Sequence, residues 1–181
     1  FLFLKLYYWT FIIKQGLYSR LIMVILPLVD SSKNLKNSVS VFSSGDPLTG
    51  RLLTEGKYIF SGVNLDLKIE NPWLIEPPSK EVELSLQGFN WLNDLSVFEN
   101  KKSRQLARRW LFSWYEYNVK GNLSSWNPEM VALRSINILT NWSFVEKSLK
   151  SERSLYLRIL SRQKFYLSRV EKNLFPGLEK G

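Results

Sequence analysis

Apolar side chains recur at helical spacing through most of the chain after Pro78. Leu106, Trp110 and Trp114 follow one another at intervals of four residues, so they share one face of a helix. The same kind of spacing predicts four helices, over residues 79–98, 101–119, 128–143 and 151–174. The loops between them are short, which favours antiparallel neighbours in space. We therefore expect a mainly α protein built from antiparallel helical hairpins.

Two of these helices begin with typical capping residues. Ser79 precedes the first helix as a predicted N-cap, and Glu81 adds negative charge to its first turn. The run Asn127-Pro128-Glu129 combines an N-cap residue, a proline at the first helical position and an acid. Both helix starts are therefore predicted from local chemistry as well as from periodicity.

A different period precedes the helices. Large apolar side chains occupy alternate positions on both sides of a Ser61-Gly62 pair. They are Tyr58, Phe60, Val63, Leu65 and Leu67. Two alternating runs joined by a glycine-containing pair are typical of a β-hairpin. Prolines at positions 72, 77 and 78 close this region, and we expect a small β element before the helical part.

These patterns divide the chain into three parts. Residues 1–47 form an N-terminal apolar helix and linker, residues 48–78 the β-hairpin and a proline-rich connection, and residues 79–181 the helical part. The longest uncharged runs within residues 1–29, which are 6–13 and 21–29, are shorter than the ~20 residues that span a bilayer. We expect no transmembrane span, and no signal-peptide pattern is visible. Because the chain begins with Phe1 and stops at Gly181, we interpret it as a fragment of a longer protein.

Composition excludes several kinds of chemistry. The chain has no cysteine and no histidine, so it offers no thiolate nucleophile, no Cys or His metal ligand and no imidazole acid or base. It also lacks phosphate-binding glycine loops and nucleophile elbows. We therefore expect no cofactor and no metal, and we assign no catalytic residue.

The charge is strongly basic. Lys and Arg number 25 against 16 Asp and Glu, which gives a formal net charge of +9. Eight of the basic residues lie between positions 147 and 172, opposed by two glutamates. A basic helix can bind phosphate or sulfate groups, but it can equally be a solvated outer face. No nucleic-acid-binding motif accompanies the charge, so we do not expect a nucleic acid partner.

Three side chains stand out as candidate ligand contacts. Trp126 lies in a polar loop directly before a helix, where it can stack on a sugar ring or fix the start of the helix. Arg134 and Asn137 are three residues apart and share a helix face between apolar neighbours. Such a pair can face a cleft and hold a carboxylate or sulfate, or it can form an internal polar network between helices. Spacing alone leaves both alternatives open.

An ordered series of short motifs resembles the N-terminal part of heparinase II/III-family proteins. The series starts with Gly56-x-Tyr58-x-Phe60-x-Gly62-x-x-Leu65-Asp66-Leu67 and Pro72-Trp73. It continues with Leu86-Gln87-Gly88-Phe89-Asn90-Trp91-Leu92-Asn93-Asp94-Leu95 and Ala107-x-x-Trp110. It ends with Trp126-Asn127-Pro128 and Ala132-x-Arg134-x-x-Asn137. The resemblance covers residues 50–181, and it lies in the order of the pieces and the gaps between them.

This resemblance implies that residues 79–181 are a truncated part of an (α/α) toroid, followed in whole members by further helices and a β-sandwich. It also implies a polysaccharide lyase that acts by β-elimination on an acidic, uronic-acid polysaccharide of the glycosaminoglycan kind. Trp126, Arg134, Asn137, Gln87 and Asn90 would then lie near the carbohydrate-binding cleft. Family members use tyrosine and histidine for proton transfer, largely from regions beyond this chain. A lyase of this kind would act in the periplasm or cell envelope.

The chain departs from the family pattern at two points. Many members have a histidine where this chain has Gln87, and many read Arg-x-x-Asn-Trp where Ile138 follows Asn137 here. Two other functions therefore stand beside the lyase: a non-catalytic helical binding or scaffold module, and a basic helical protein that binds nucleic acid.

Overall fold

A computed structural model describes residues 45–65, 71–118, 123–149 and 152–174 of the chain. Its helices are α1 (Pro47–Thr54), α2 (Lys80–Gln87), α3 (Trp91–Phe98), α4 (Lys101–Asn118), α5 (Pro128–Thr140), α6 (Trp142–Leu149) and α7 (Arg153–Leu174). Two strands, β1 (Tyr58–Phe60) and β2 (Val63–Leu65), form a small sheet, and short 3₁₀ turns cover Pro72–Leu74 and Leu123–Trp126. The described part is mainly α with a small β-hairpin, as predicted.

The hairpin forms where the alternation predicted it. The strands are antiparallel, with Tyr58 opposite Leu65 and Phe60 opposite Val63. Ser61 and Gly62 both have positive φ, 49° and 77°, which is the conformation of a tight turn that matches the strand twist. Tyr58, Phe60 and Leu65 are buried, whereas Val63 is exposed. The hairpin therefore covers the helices with one face. Val63 departs from the expected pattern, and Leu67 lies outside the described residues.

Helix α1 lies in a stretch that the sequence analysis treated as β-hairpin and connection. Its N-cap is Asp46, whose carboxylate accepts hydrogen bonds from the backbone N–H groups of Leu48 and Thr49 at 3.0 and 3.2 Å. Burial raises the pKa of Asp94, which accepts a 2.8 Å bond from the Asp46 N–H. A Cβ placed on Gly50 would lie 2.3 Å from the Asp94 carbonyl oxygen, so α1 and α3 pack at a distance that only glycine allows.

The prediction of one helix over residues 79–98 is wrong. The N-cap is correct, because the Ser79 hydroxyl accepts a 3.3 Å bond from the Val82 N–H. The helix then stops at residue 87, and α3 begins at residue 91 after a turn. Phe89 has a φ of 63° in that turn, and its ring is fully buried. Burial of this ring therefore prevails over the helical preference of the segment, and α2 and α3 are separate helices.

The prediction for residues 128–143 is correct at its start and wrong at its end. Asn127 Oδ1 accepts a 2.9 Å bond from the Glu129 N–H, as an N-cap does. The helix ends at Thr140, and a separate helix, α6, which the sequence analysis missed, begins at Trp142. Asn141 lies between them and donates a 2.9 Å bond from Nδ2 to the Asn137 carbonyl, which ends α5. The predictions of 101–119 and 151–174 agree with α4 and α7 within two residues.

The core is a cluster of aromatic rings around α4. Trp110 and Trp114 are fully buried, which confirms that they belong to the core. The Trp110 ring packs edge-on against Trp91 with centroids 5.1 Å apart, and it also contacts Tyr58. The Trp73 indole N–H donates to the Trp110 carbonyl at 3.0 Å. Helix α4 thus joins the hairpin and the 3₁₀ turn to the rest of the helices, and it packs on α3 and α6.

The predicted helix within residues 1–47 lies outside the described residues, which begin at residue 45. None of the described helices has both the length and the apolar character that crossing a membrane requires.

Replacing Trp110 with alanine should lower the free energy of unfolding by about 3–5 kcal/mol, because a fully buried indole leaves a large cavity. Urea denaturation followed by tryptophan fluorescence measures this change. Tyr117→Ala on the same helix is the control. Its side chain is 53% exposed, so the expected change is within about 0.5 kcal/mol. Equal effects of the two substitutions would contradict the core assignment.

Gly50→Ala should destabilise the protein by about 1–3 kcal/mol, because the new methyl group meets the backbone of α3 and forces the helices apart. An exposed helical glycine would respond in the opposite direction, since alanine favours helix. Thermal unfolding monitored by circular dichroism gives the sign. A stabilised Gly50→Ala variant would show that α1 does not pack closely on α3.

Candidate functional site

The five residues predicted to lie near a cleft come together in the structure. The Arg134 Nη1 group donates a 2.9 Å bond to the Gln87 carbonyl oxygen. Asn137 Nδ2 donates a 2.9 Å bond to Asn90 Oδ1. The Arg134 guanidinium also lies 5.8 Å from the centre of the Trp126 ring. Segments more than forty residues apart in sequence therefore meet around the buried face of α5.

The Arg134 side chain is fully buried. Its second terminal nitrogen, Nη2, donates a 3.1 Å bond to the Ser125 carbonyl. The guanidinium lies 4.3 Å from the centre of the Trp114 ring and 5.6 Å from that of Phe89. No carboxylate of the described residues forms an ion pair with it, and its Nε atom has no hydrogen-bond partner among them. Arg134 is held by backbone carbonyls and aromatic faces.

Burial of Arg134 without a carboxylate partner changes the pKa values of ionisable groups in this region. Loss of hydration lowers the pKa of Arg134 to about 9, and the nearby Tyr156 and Tyr166 partly oppose this shift. Burial also raises the pKa of Tyr156, whose hydroxyl donates to the Leu111 carbonyl. Both groups belong to the helix interfaces, where they fix the position of α5 and α7.

Asn137 is the centre of a chain of amide hydrogen bonds. Besides binding Asn90, its Nδ2 group donates a 2.8 Å bond to the Gly88 carbonyl. Its Oδ1 accepts a 3.0 Å bond from Asn93 Nδ2. Asn93 Oδ1 in turn accepts a 2.6 Å bond from Asn141 Nδ2. The chain fixes the α2–α3 turn to α5, and it ends at Asn90, whose side chain is exposed.

The structure corrects the expectation that Trp126 lies at an open rim. The indole is buried and packs edge-on against Tyr166 with ring centres 5.5 Å apart. Its N–H donates a 3.3 Å bond to the Asn118 carbonyl, and the Tyr166 hydroxyl donates to the Trp126 carbonyl. Trp126 therefore fixes the start of α5 against α7, which was the alternative left open by the sequence.

Arg134 and Asn137 likewise correspond to the internal-network alternative. The expected open polar surface is not formed at Arg134, because the side chain has no solvent exposure. Gln87 is half-buried, and its Oε1 accepts a 2.8 Å bond from the Trp114 indole N–H. Of the five predicted residues, Asn90 is the one whose side chain is exposed.

Sequence reasoning missed several members of this network. Asn93 lies on another helix, so no spacing in the sequence connects it with Asn137. Asn141 follows Asn137 by four residues, a spacing that the sequence analysis did not use. Gln163 is fully buried in α7 and accepts a 2.7 Å bond from the Ser135 hydroxyl. A glutamine within the apolar stripe of α7 was the available signal, since buried amides need hydrogen-bond partners.

The basic stretch of α6 and α7 is not a uniform charged face. Arg153 pairs with Glu146, and Lys147 lies 3.2 Å from Glu99. Arg162 is buried, whereas Lys164 and Arg169 are exposed. The structure therefore disperses these charges among helix interfaces and the surface.

Two hollows open elsewhere, along the exposed side of α4. The larger, of about 560 Å³, lies between α4, the end of α1 and β1. The smaller, of about 280 Å³, shares Gln105 and Arg109 with it. Neither is lined by any of the five residues that the sequence analysis predicted near a cleft. In the part of the chain that the structure describes, no cluster of three acidic residues is arranged to hold a metal ion.

Comparison of the chain with protein-family models, with curated proteins and with solved structures finds no match.

Arg134→Ala should lower the free energy of unfolding by roughly 2–5 kcal/mol, because it leaves a cavity and removes the donors from two buried carbonyls. Ile136→Ala on the same helix is the matched control, because Ile136 is exposed and the expected change is within about 0.5 kcal/mol. Urea titration measures both. An Arg134→Ala variant as stable as the control would mean that the guanidinium is not part of the core.

Proposed function

We propose that the chain is the N-terminal helical portion of a heparinase II/III-like polysaccharide lyase and helps to build a groove for an acidic, uronic-acid polysaccharide. In this proposal residues 79–181 belong to an (α/α) toroid that is completed by further helices and a β-sandwich of the same protein. The proposal rests on the ordered motif series and on what the residues of that series do in the fold.

The observation that carries the proposal is the convergence of the motif residues. Gln87 and Asn90 belong to one motif, Trp126 to a second, and Arg134 and Asn137 to a third. Hydrogen bonds of 2.9 Å join the first motif to the third, and Arg134 lies 5.8 Å from the centre of the Trp126 ring. The motifs thus form one structural unit in the described residues, which supports the proposal.

Within this unit the buried residues act as positioning residues. Arg134 and Asn137 hold the carbonyls of Gln87 and Gly88, so the α2–α3 turn has one fixed conformation. Asn90 follows in that turn with its side chain exposed. An amide can donate to a sugar hydroxyl or a uronate carboxylate, and Asn90 Oδ1 is already oriented by Asn137. Asn90 is therefore the predicted ligand contact of the set.

β-Elimination requires two contributions from a lyase, which are binding of the uronate and proton transfer. Neutralising or hydrogen-bonding the uronate carboxylate makes the C5 proton removable, after which a base takes this proton and an acid protonates the departing glycosidic oxygen. This chain contributes binding and orientation of the anionic sugar. No residue of it is assigned a proton-transfer step.

The test is calorimetric titration of the purified protein with a short oligouronate and with a neutral oligosaccharide of the same length. We expect the oligouronate to bind and the neutral sugar to bind at least about tenfold more weakly, since a charge-assisted hydrogen bond contributes about 1.5–3 kcal/mol. Equal binding of the two sugars, or binding of duplex DNA in place of either, would contradict the proposal.

Asn90→Asp sharpens this test. The carboxylate can still accept the Asn137 hydrogen bond, but it repels a uronate, so oligouronate affinity should fall about tenfold. Asn64→Asp makes the same charge change at an exposed position of β2 and should leave the affinity unchanged. If both variants bind as the parent does, Asn90 is not a ligand contact.

A further inference from the structure

The two hollows along α4 form one track with a basic wall. Lys102, Gln105 and Arg109 lie three and four residues apart, so they follow one another along one face of the helix. All three line the larger hollow, and Gln105 and Arg109 also line the smaller one. From Lys102 to Phe112 the track extends for about 15 Å along the helix axis, at 1.5 Å per residue.

The opposite wall of the larger hollow is polar. It is formed by the turn that ends α1, where Thr54, Glu55 and Gly56 line the hollow, and by Tyr58 of β1. Gly56 has a φ of 83°, a conformation that turns the chain sharply from α1 into β1. The volume of about 560 Å³ is in the range of small-molecule sites.

The charges of the walls favour an anion. Three basic side chains, Lys102, Arg108 and Arg109, face two acids, Glu55 and Glu152. Each acid already has a basic neighbour. Arg51 Nε lies 3.8 Å from Glu55, and Arg108 Nη2 lies 2.6 Å from Glu152. Among the described residues no carboxylate forms an ion pair with Lys102, and its ammonium group is exposed at the rim.

The smaller hollow adds an aromatic surface. Phe112 lines it and remains 41% exposed. An exposed ring beside polar and basic groups suits a sugar, whose C–H face packs on the ring while its hydroxyl and anionic groups meet the polar wall. The residues of the track thus offer both kinds of contact that an anionic saccharide needs.

We propose that this track is a second binding site for an anionic saccharide, with the carboxylate or sulfate at Lys102 and a further ring of the same saccharide on Phe112. The inference rests on the proposed function for the class of ligand. The site differs from the Asn90 turn, because neither Gln87 nor Asn90 lines either hollow and the Lys102 end of the track precedes Trp114, the partner of Gln87, by about 18 Å along α4.

The experiment is titration of isotope-labelled protein with a short oligouronate in phosphate-free buffer, followed by backbone amide shifts. Saturable shifts at Gln105 and Gly56 are expected for the track, whereas shifts at Asn90 report the other site. Shifts at Asn90 without any at Gln105 and Gly56 would overturn this inference and leave the proposed function standing. No shifts at either place would overturn both.

Charge reversal at Lys102 tests whether this side chain contacts the anionic group of the saccharide. Lys102→Glu should weaken the binding that Gln105 reports by about tenfold or more, as expected for loss of a charge-assisted hydrogen bond. Lys101→Glu is the matched control, because Lys101 is exposed on the same helix and lines neither hollow. Equal effects of the two reversals would mean that these side chains act only through the net charge of the protein, and the proposed site would be wrong.

The aromatic contact has its own pair of variants. Phe112→Ala should reduce the affinity at the track roughly twofold to tenfold, whereas Tyr117→Ala, also exposed on α4, should not.

The last titration uses duplex DNA in place of the oligouronate. If it causes the shifts at Gln105 and the oligouronate does not, the site binds phosphate polymers and the saccharide assignment is overturned.

Discussion

Burial of the Arg134 guanidinium without a carboxylate is the constraint on which the arrangement of the helices depends. Moving an ion out of water costs several kcal/mol unless other groups replace its hydration. Here two carbonyls, those of Gln87 and Ser125, and the Trp114 ring take that place. A desolvated cation over an indole contributes about 2 kcal/mol or more. Each of these partners comes from a different segment, so satisfying one side chain brings α2, α4, α5 and a 3₁₀ turn together.

The turn between α2 and α3 follows from the same constraint. A phenylalanine with positive φ is strained, and such strain persists when the surroundings over-determine it. Phe89 is surrounded in this way, because its ring packs at 5.3 Å against both Trp91 and Trp114. Arg134 and Asn137 bind the two carbonyls just before it. The helix is interrupted so that these carbonyls can point inwards, and Asn90 is thereby left on the surface.

Local signals explain what could be predicted from the sequence. The Ser61-Gly62 turn, the Asn127 cap and the stripes of α4 and α7 are each determined by residues a few positions apart. The break at residues 88–90 is different, because its partners Arg134 and Asn137 lie more than forty residues away. The Trp126 loop is similar, since Tyr166 fixes it from α7. The three-residue spacing places Arg134 and Asn137 on one helix face, but a ligand cleft and an internal network would both use such a face. The burial of the two side chains, which the structure shows, distinguishes these alternatives.

The distribution of exposure over the motif series decides which of its residues a ligand could reach. Its aromatic residues, with Arg134 and Asn137, are buried and specify how the helices pack. Substrate choice belongs to side chains that solvent reaches, which can change without disturbing that packing. Gln87 illustrates the difference. Its carbonyl accepts the Arg134 hydrogen bond whatever its side chain, so this contact does not depend on which residue stands at position 87. Both proposed binding sites therefore lie on exposed groups beside the network, at Asn90 and along the basic side of α4.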